Sequence, residues 1–529
     1  MKRLVSILGS ILLLNSCAAQ VDSLQVAKVD CPKPTTVYLK TLTTNQGLYE
    51  RFDYHIRNIV ADASTIKFQT DKNDFVYCRT NNTWTVQPGT IKSELLPPKN
   101  YLETIKDITN PLLKTIELDG KKYQYRVAIE PKFVSGENGD LSRPSVAPEN
   151  DKVVFELISP ESKNPQTQII YTLKDLQQVA VKSGYFSGGS LGIPRITATV
   201  IHGNKIWWAI AFEQGEGNNG LGTILGYDPK TNKFTVIQPQ ELWWQQITDL
   251  AITGDVNNPT FWMGTNISGE GNFYLPAKGL VAYRPNSGSL TSYTVNNSPL
   301  VGAIPDKLKL EADTLWISTA NGVCKLNWQA ADNPDSWLCW RFALMATPSA
   351  ELPLYSGSMN KKPAVTLPAT NNVEVLWWSP IDLQTRKGRY EVRYPQGFTV
   401  ELDQGASLEP SNRLVSAGKP PVFWSGFEWH WNGKRFRRGF DEVANNEFGG
   451  GSQGIGSHSS DPNLPTNWNA MRGDLDLLNL SPKSTSVKYY SAWVDEDKLN
   501  PYLTVVPQEQ VQNPQPNPLD AIARQLPRE

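Results

Sequence analysis

The chain has 529 residues, with 51 Lys plus Arg against 52 Asp plus Glu and a net charge of -1, which excludes the cationic surface a nucleic-acid binder needs to displace counterions from phosphates. Charged residues make up 19% of the chain, too few for a disordered polyelectrolyte. Seventeen Trp beside 38 Gly and 38 Pro point to many short strands joined by turns rather than to long helices.

The N-terminus reads MKRLVSILGSILLLNSC. Lys2 and Arg3 precede an apolar run from Leu4 to Leu14. That run is too short to cross a hydrocarbon core of roughly 30 Å, so it reads as an export signal. Leu14-Asn15-Ser16-Cys17 resembles the lipobox of bacterial lipoproteins, Asn15 being an unusual residue inside the box. The resemblance implies a signal peptide of residues 1–16 and a lipidated Cys17, followed by an anchor linker over 17–34. Two or three acyl chains anchor stably where one does not. By the Gram-negative sorting pattern, Ala18 after the lipidated residue implies the outer membrane. The expected location is therefore extracytoplasmic, with the membrane itself as one partner.

Along the middle of the chain apolar-Trp strands recur at Trp207, Trp262, Trp316, Trp377 and Trp424, spaced by 55, 54, 61 and 47 residues. Val153-Val154-Phe155 lies 52 residues before Trp207 as an earlier copy. A period near 50 residues suits one four-stranded propeller blade with its loops. The copy at 247–295 divides into strands at 247–253, 260–265, 279–285 and 290–295. A hairpin pattern repeats between copies: Tyr227, Pro229, Thr235 and then Tyr283, Pro285, Thr291, with turn residues between strands three and four. In the next copy Cys324 falls on strand three and Cys339 on strand four. Adjacent antiparallel strands bring such residues within disulfide reach, so the expected pairs are Cys324–Cys339 and, by remainder, Cys31–Cys78. An exported chain favours their oxidation.

The segments TFWMGT…KGLVAY and TLWISTANGVCKL resemble the repeat of two-component-regulator-type β-propellers, and LSRPSVAPENDKVVFEL over 141–157 resembles the repeat of TolB-like propellers. Both resemblances imply a fold and no activity. The expected architecture is an all-β propeller of about seven blades, six to eight in range, over residues 35–500. Residues 35–135 would be its first blade or a separate small β module. The strand at 487–494 would complete a blade with an N-terminal strand, removing a sheet edge. From 501 to 529 the chain is Pro/Gln-rich and is expected to be disordered.

Chemistry-bearing patterns are few. Gly215-Glu216-Gly217-Asn218 and Gly269-Glu270-Gly271-Asn272 repeat one tetrapeptide 54 residues apart, between strands two and three of consecutive blades. Glu216, Asn218, Glu270 and Asn272 are the candidate binding residues. Carboxylates with nearby amides hydrogen-bond sugar hydroxyls or ligate Ca²⁺. The competing reading is an inherited loop whose glycines supply positive φ, and no Asp-rich calcium loop backs the ion. The expectation is thus no cofactor and no metal, with Ca²⁺ the one ion those residues would suit. The Trp207-Trp208 and Trp377-Trp378 pairs read as core between blades, since alternation sends one ring to each sheet face. Trp429, His430 and Trp431, and the basic run 434–438, read as exposed strand. No P-loop or HExxH motif occurs. The reading is a binding or scaffold module for an envelope protein or glycan, with no catalytic residue assigned. The alternative is a polysaccharide-active hydrolase or lyase on a propeller scaffold.

Overall fold

The computed structural model describes residues 31–33, most of 56–91, 111–213, 220–267 and 278–348, and strand segments between 352 and 507. Among these residues, five four-stranded antiparallel units follow one another along the chain. Blade 1 holds β1 (Asn58–Ala61), β2 (Thr65–Gln69), β3 (Asn73–Cys78) and β4 (Thr83–Pro88). Blade 2 begins with β5 (Lys114–Leu118) and β6 (Lys121–Glu130), then passes a short pair, β7 (Val134–Ser135) and β8 (Leu141–Ser142). It ends with β9 (Lys152–Ile158) and β10 (Gln166–Thr172). Helix α1 (Leu173–Ser183) leads to blade 3, made of β11 (Ile193–His202), β12 (Lys205–Glu213), β13 (Thr223–Asp228) and β14 (Lys233–Ile237). Blade 4 is β15 (Gln245–Asp255), β16 (Asn258–Ile267), β17 (Leu280–Arg284) and β18 (Ser289–Tyr293). Blade 5 is β19 (Pro305–Glu311), β20 (Thr314–Thr319), β21 (Gly322–Asn327) and the first half of β22 (Trp337–Pro348).

Each unit is an up-and-down meander, the chain pattern of a propeller blade. β12 and β20 do not alternate apolar with polar, because both faces of a blade's inner strands are covered by neighbouring blades. Trp208 packs against Phe155 of blade 2 with ring centroids 4.6 Å apart, while the adjacent Trp207 packs edge-on against Phe261 of blade 4 at 4.8 Å. The first strands stand side by side, β11 next to β15, β15 next to β19, and β19 next to β1. The chain therefore brings its N-terminal blade round to pack on blade 5, as Phe75 stacking on Phe342 at 4.0 Å shows.

A hairpin detail repeats between distant blades. In blade 3 the Tyr227 hydroxyl donates to Asn232 at 2.8 Å, and in blade 1 the Tyr77 hydroxyl donates to Asn82 at 2.5 Å. Both asparagines sit at positive φ, 55° and 56°, in the turn between strands three and four, a conformation Asn tolerates well. Residues 58–88 thus carry the same hairpin as the Trp-rich blades.

Beyond blade 5 the pattern changes. The second half of β22 pairs with β25 (Val373–Trp378), and the sheet extends through β23 (Leu352–Tyr355), β24 (Val365–Leu367), β26 (Lys387–Arg393) and β27 (Glu409–Pro410). A separate three-stranded sheet holds β28 (Trp424–Ser425), β29 (Glu428–Trp431) and β30 (Lys434–Arg437). Two late strands, β31 (Tyr489–Asp495) and β32 (Leu499–Pro507), return to the large sheet. The Trp377 copy therefore continues the sheet of blade 5 instead of opening a blade of its own. The strand expected at 487–494 pairs with β23, β26 and β27, not with an N-terminal strand. β22 runs past blade 5 and offers its ladder to β25 at Met345 and Ala346, and β26, paired with β25, in turn takes up β31. Of the tail expected to be disordered over 501–529, residues 501–507 instead belong to β32, held by its ladder to β22, while 508–529 lie outside the described residues.

Two disulfides close local loops. Cys324 and Cys339 are joined directly across the β21–β22 ladder. Cys31 is joined to Cys78 at the end of β3.

Candidate functional site

Strand direction gives the blades two unlike ends. At one end lie the connections from strand one to two and from three to four. In blades 3 and 4 these are tight hairpins, residues 203–204 and 229–232, and 256–257 and 285–288, while blade 5 has a tight turn at 312–313 but a longer connection at 328–336, and blade 2 a longer one at 159–165. At the other end lie the connections from one blade to the next and from strand two to three, the latter short at 70–72 in blade 1 and 320–321 in blade 5 but long in blades 3 and 4. Residues 214–222 link β12 to β13, residues 268–279 link β16 to β17, and α1 stands between blades 2 and 3.

The long-loop end is rooted in buried polar contacts that cross between blades. Gln246, 1% exposed at the start of β15, accepts the Phe212 backbone N–H at the end of β12 at 2.6 Å. Its amide nitrogen is buried and has no hydrogen-bond partner among the described residues. Thr265 Oγ1 donates to the Gly279 carbonyl at 2.8 Å, tying the two feet of the 268–279 loop together. Trp244 Nε1 donates to Ser183 Oγ at 3.2 Å, and Lys182 Nζ lies 5.5 Å from the Trp243 ring centre, so α1 is fixed to the blade 3–blade 4 connection. Next to these, Asp249 Oδ2 accepts the Leu308 N–H of blade 5 at 2.8 Å. Burial raises the Asp249 pKa, only partly offset by Lys307.

Of the sequence-predicted site residues, Glu216, Asn218, Glu270 and Asn272 lie outside the described residues, as does Cys17. What the structure places is the feet of both loops. They rise from the same end of two neighbouring blades, 3 and 4. His202 ends β11 at the opposite, hairpin end, and its Nε2 is buried without a hydrogen-bond partner among the described residues. His55 and His458 lie outside the described residues, as do the side chains of Trp429, His430, Trp431 and the 434–437 strand. Among the described residues no three His, Cys, Asp or Glu side chains are grouped to hold a metal ion.

The hairpin end holds a feature that the sequence does not announce. A polar cleft of about 400 Å³ opens between blades 1 and 5, lined by Asp62, Arg79, Glu311, Asp313, Trp316 and Lys325 among others. One guanidinium nitrogen of Arg79 donates to both carboxylate oxygens of Glu311, at 2.7 and 2.8 Å, and Trp316 Nε1 donates to the same carboxylate at 3.0 Å. Lys325 Nζ sits 5.7 Å from the Trp316 ring centre. On the rim, Asp62 is held far below the usual carboxylate range by the N–H and hydroxyl of Thr65 and the hydroxyl of Ser64. The cleft's main cation and carboxylate are engaged with each other, which makes it a seam between blades rather than a reacting centre. Arg79 and Glu311 are 232 residues apart, and no local pattern in the chain signals their meeting. Helix α1 did leave a signal: Thr172 and Asp175 form a reciprocal cap, with Thr172 N–H to Asp175 at 2.9 Å and Asp175 N–H to Thr172 Oγ1 at 3.1 Å.

No family model matches the chain, and no curated protein matches it. Among solved structures, the extracellular domain of a one-component system from B. thetaiotaomicron is similar at 12% identity and a TM-score of 0.24, over 65% of this chain and 46% of that one. PorZ, a surface component of the type-IX secretion system of Porphyromonas gingivalis, is similar at 14% identity and a TM-score of 0.21, over 66% of this chain and 44% of that one. The chain thus spans less than half the length of either. The propeller assignment stands on the blades themselves, not on likenesses of this size.

Proposed function

We propose that the protein is a lipid-anchored extracytoplasmic propeller that binds an envelope partner at its long-loop end. The observation that carries the reading is the difference between the two ends. In the adjacent blades 3 and 4 one end is closed by tight hairpins, whereas the other carries two long connections, each with the same Gly-Glu-Gly-Asn. Paired carboxylates and amides on neighbouring loops suit the hydroxyls of a glycan, so an envelope glycan is the favoured ligand. The two disulfides support export to an oxidising compartment, and the lipobox at Cys17 supplies the anchor.

The test starts from the full-length acylated protein, solubilised from membranes and probed with fragments of envelope polysaccharide. Retention of glycan by the wild type and loss of about tenfold or more in affinity with Glu216→Ala plus Glu270→Ala, a loss of about 1.4 kcal/mol, is the expected result. Binding unchanged by the double substitution removes those loops from the function. Co-purification of a protein partner without any glycan redirects the reading to a protein ligand.

A further inference from the structure

We infer that the Cys31–Cys78 disulfide turns the propeller on its anchor, so that the hairpin end faces the lipid surface and the long-loop end faces away. This rests on the proposed lipidation of Cys17. β1 starts at the long-loop end, because its hairpin to β2 at residues 62–64 lies at the hairpin end. A chain entering the fold only through β1 would therefore hang the blades from their long-loop end. The disulfide overrides that entry. Cys78 is the last residue of β3, one residue before Arg79 of the hairpin-end cleft. Cys31 lies there too, with its Sγ 3.4 Å from Thr80 Oγ1 in the β3–β4 turn.

The tether is short against the height of a blade. Cys31 follows Cys17 by fourteen residues, a reach of at most about 50 Å fully extended. β11, with 10 residues, gives a blade height of about 33 Å. To present the long-loop end to the bilayer, the linker would have to run along the whole blade, using roughly ten of its residues at full extension. Leaving the tether slack at the hairpin end keeps its conformational freedom. The same disulfide thus keeps both Gly-Glu-Gly-Asn loops clear of the surface that the anchor holds.

The test uses full-length acylated protein in phosphatidylethanolamine–phosphatidylglycerol vesicles that carry an energy-transfer acceptor on the lipid headgroup. A donor is attached through Thr231→Cys in the β13–β14 hairpin or Glu241→Cys in the β14–β15 connection, both exposed positions at opposite ends of blade 3. With Cys17 acylated and the other four cysteines paired, the introduced thiol is the one that reacts. Across a blade height of about 33 Å, transfer from position 231 is expected to exceed transfer from 241 by at least about twofold. Cys31→Ser with Cys78→Ser should collapse that difference while the protein still floats with the vesicles. Equal or reversed transfer in the disulfide-intact protein overturns the orientation and leaves the anchor standing. A difference that survives loss of the disulfide overturns the disulfide's part in it. Failure to float at all overturns the anchor reading itself.

Discussion

Gly226 shows how closely the blades are fitted at single residues. An added Cβ there would lie 2.4 Å from the Trp207 ring, which packs across to blade 4. The ring is 7% exposed and wedged by Phe261, so it has nowhere to retreat. Gly226→Ala should therefore cost about 1–3 kcal/mol as overpacking, read as a lowered Tm, even though alanine improves most strand positions on entropy alone. A Tm at or above that of the wild type would show that the ring moves freely. Asp249 gives a pH-dependent counterpart. Burial raises its pKa in the fold, so folding favours the protonated carboxyl. Its stabilising contribution is present below the unfolded pKa and is lost as pH rises through the folded one. The wild type should gain Tm relative to Asp249→Asn as pH falls from about 7 to about 4. A Tm difference that is flat over that range would mean Asp249 titrates as it does in the unfolded chain.

At the scale of elements, the β21–β22 hairpin shows what a covalent clasp adds. Cys324 and Cys339 are 15 apart in sequence, and closing a loop of that length is worth up to about 3 kcal/mol by restricting the unfolded chain. Cys324→Ser with Cys339→Ser should lower Tm accordingly, and the gap between wild type and variant should close when both are measured in reductant, which also opens Cys31–Cys78 in each. That pairing was legible because two repeat copies fixed strands three and four before the cysteines were considered. The inter-blade role of Trp207 and Trp208 was legible for the same reason, since period-two alternation forces their rings apart. Blade 2 was only half legible. Val153–Phe155 stood out, but the neighbouring second strand β6 carries Tyr123 and Tyr125 where the second strands of blades 3 to 5 carry Trp. The β7–β8 detour also separates them from β9. The seam between blades 1 and 5 was not legible at all, because Arg79 and Glu311 meet only once the chain has come round. Nor could the chain pattern show that β22 would continue past blade 5 into a larger sheet. An extended edge accepts any strand with a free ladder, and side-chain periodicity does not choose among them.

For the molecule as a whole, the arrangement of blades decides whether it unfolds as one body. In an open array each repeat contacts only its chain neighbours, and terminal units fray on their own. Here the next-blade position is filled in turn. Trp207 faces blade 4, Trp262 packs with Leu315 and Ile317 of blade 5, and Trp316 faces Phe68 and Tyr77 of blade 1. Blade 1 thus takes the place a sixth copy would occupy, and Trp84 and Trp340, 5.3 Å apart, add to the seam. Phe75 lies at its centre, 2% exposed and stacked on Phe342. Phe75→Ala should cost about 3–5 kcal/mol. The loss should be felt on both sides of the seam, so hydrogen exchange should quicken in β3 of blade 1 and equally in β20 of blade 5. Faster exchange confined to β1–β4, with β20 unchanged, would instead make blade 1 an independently melting unit that rests against the propeller. A shared response would mean that the first residues of the fold and residues 305–348 are one cooperative structure, joined across more than 200 residues by packing that no local pattern in the chain foretells.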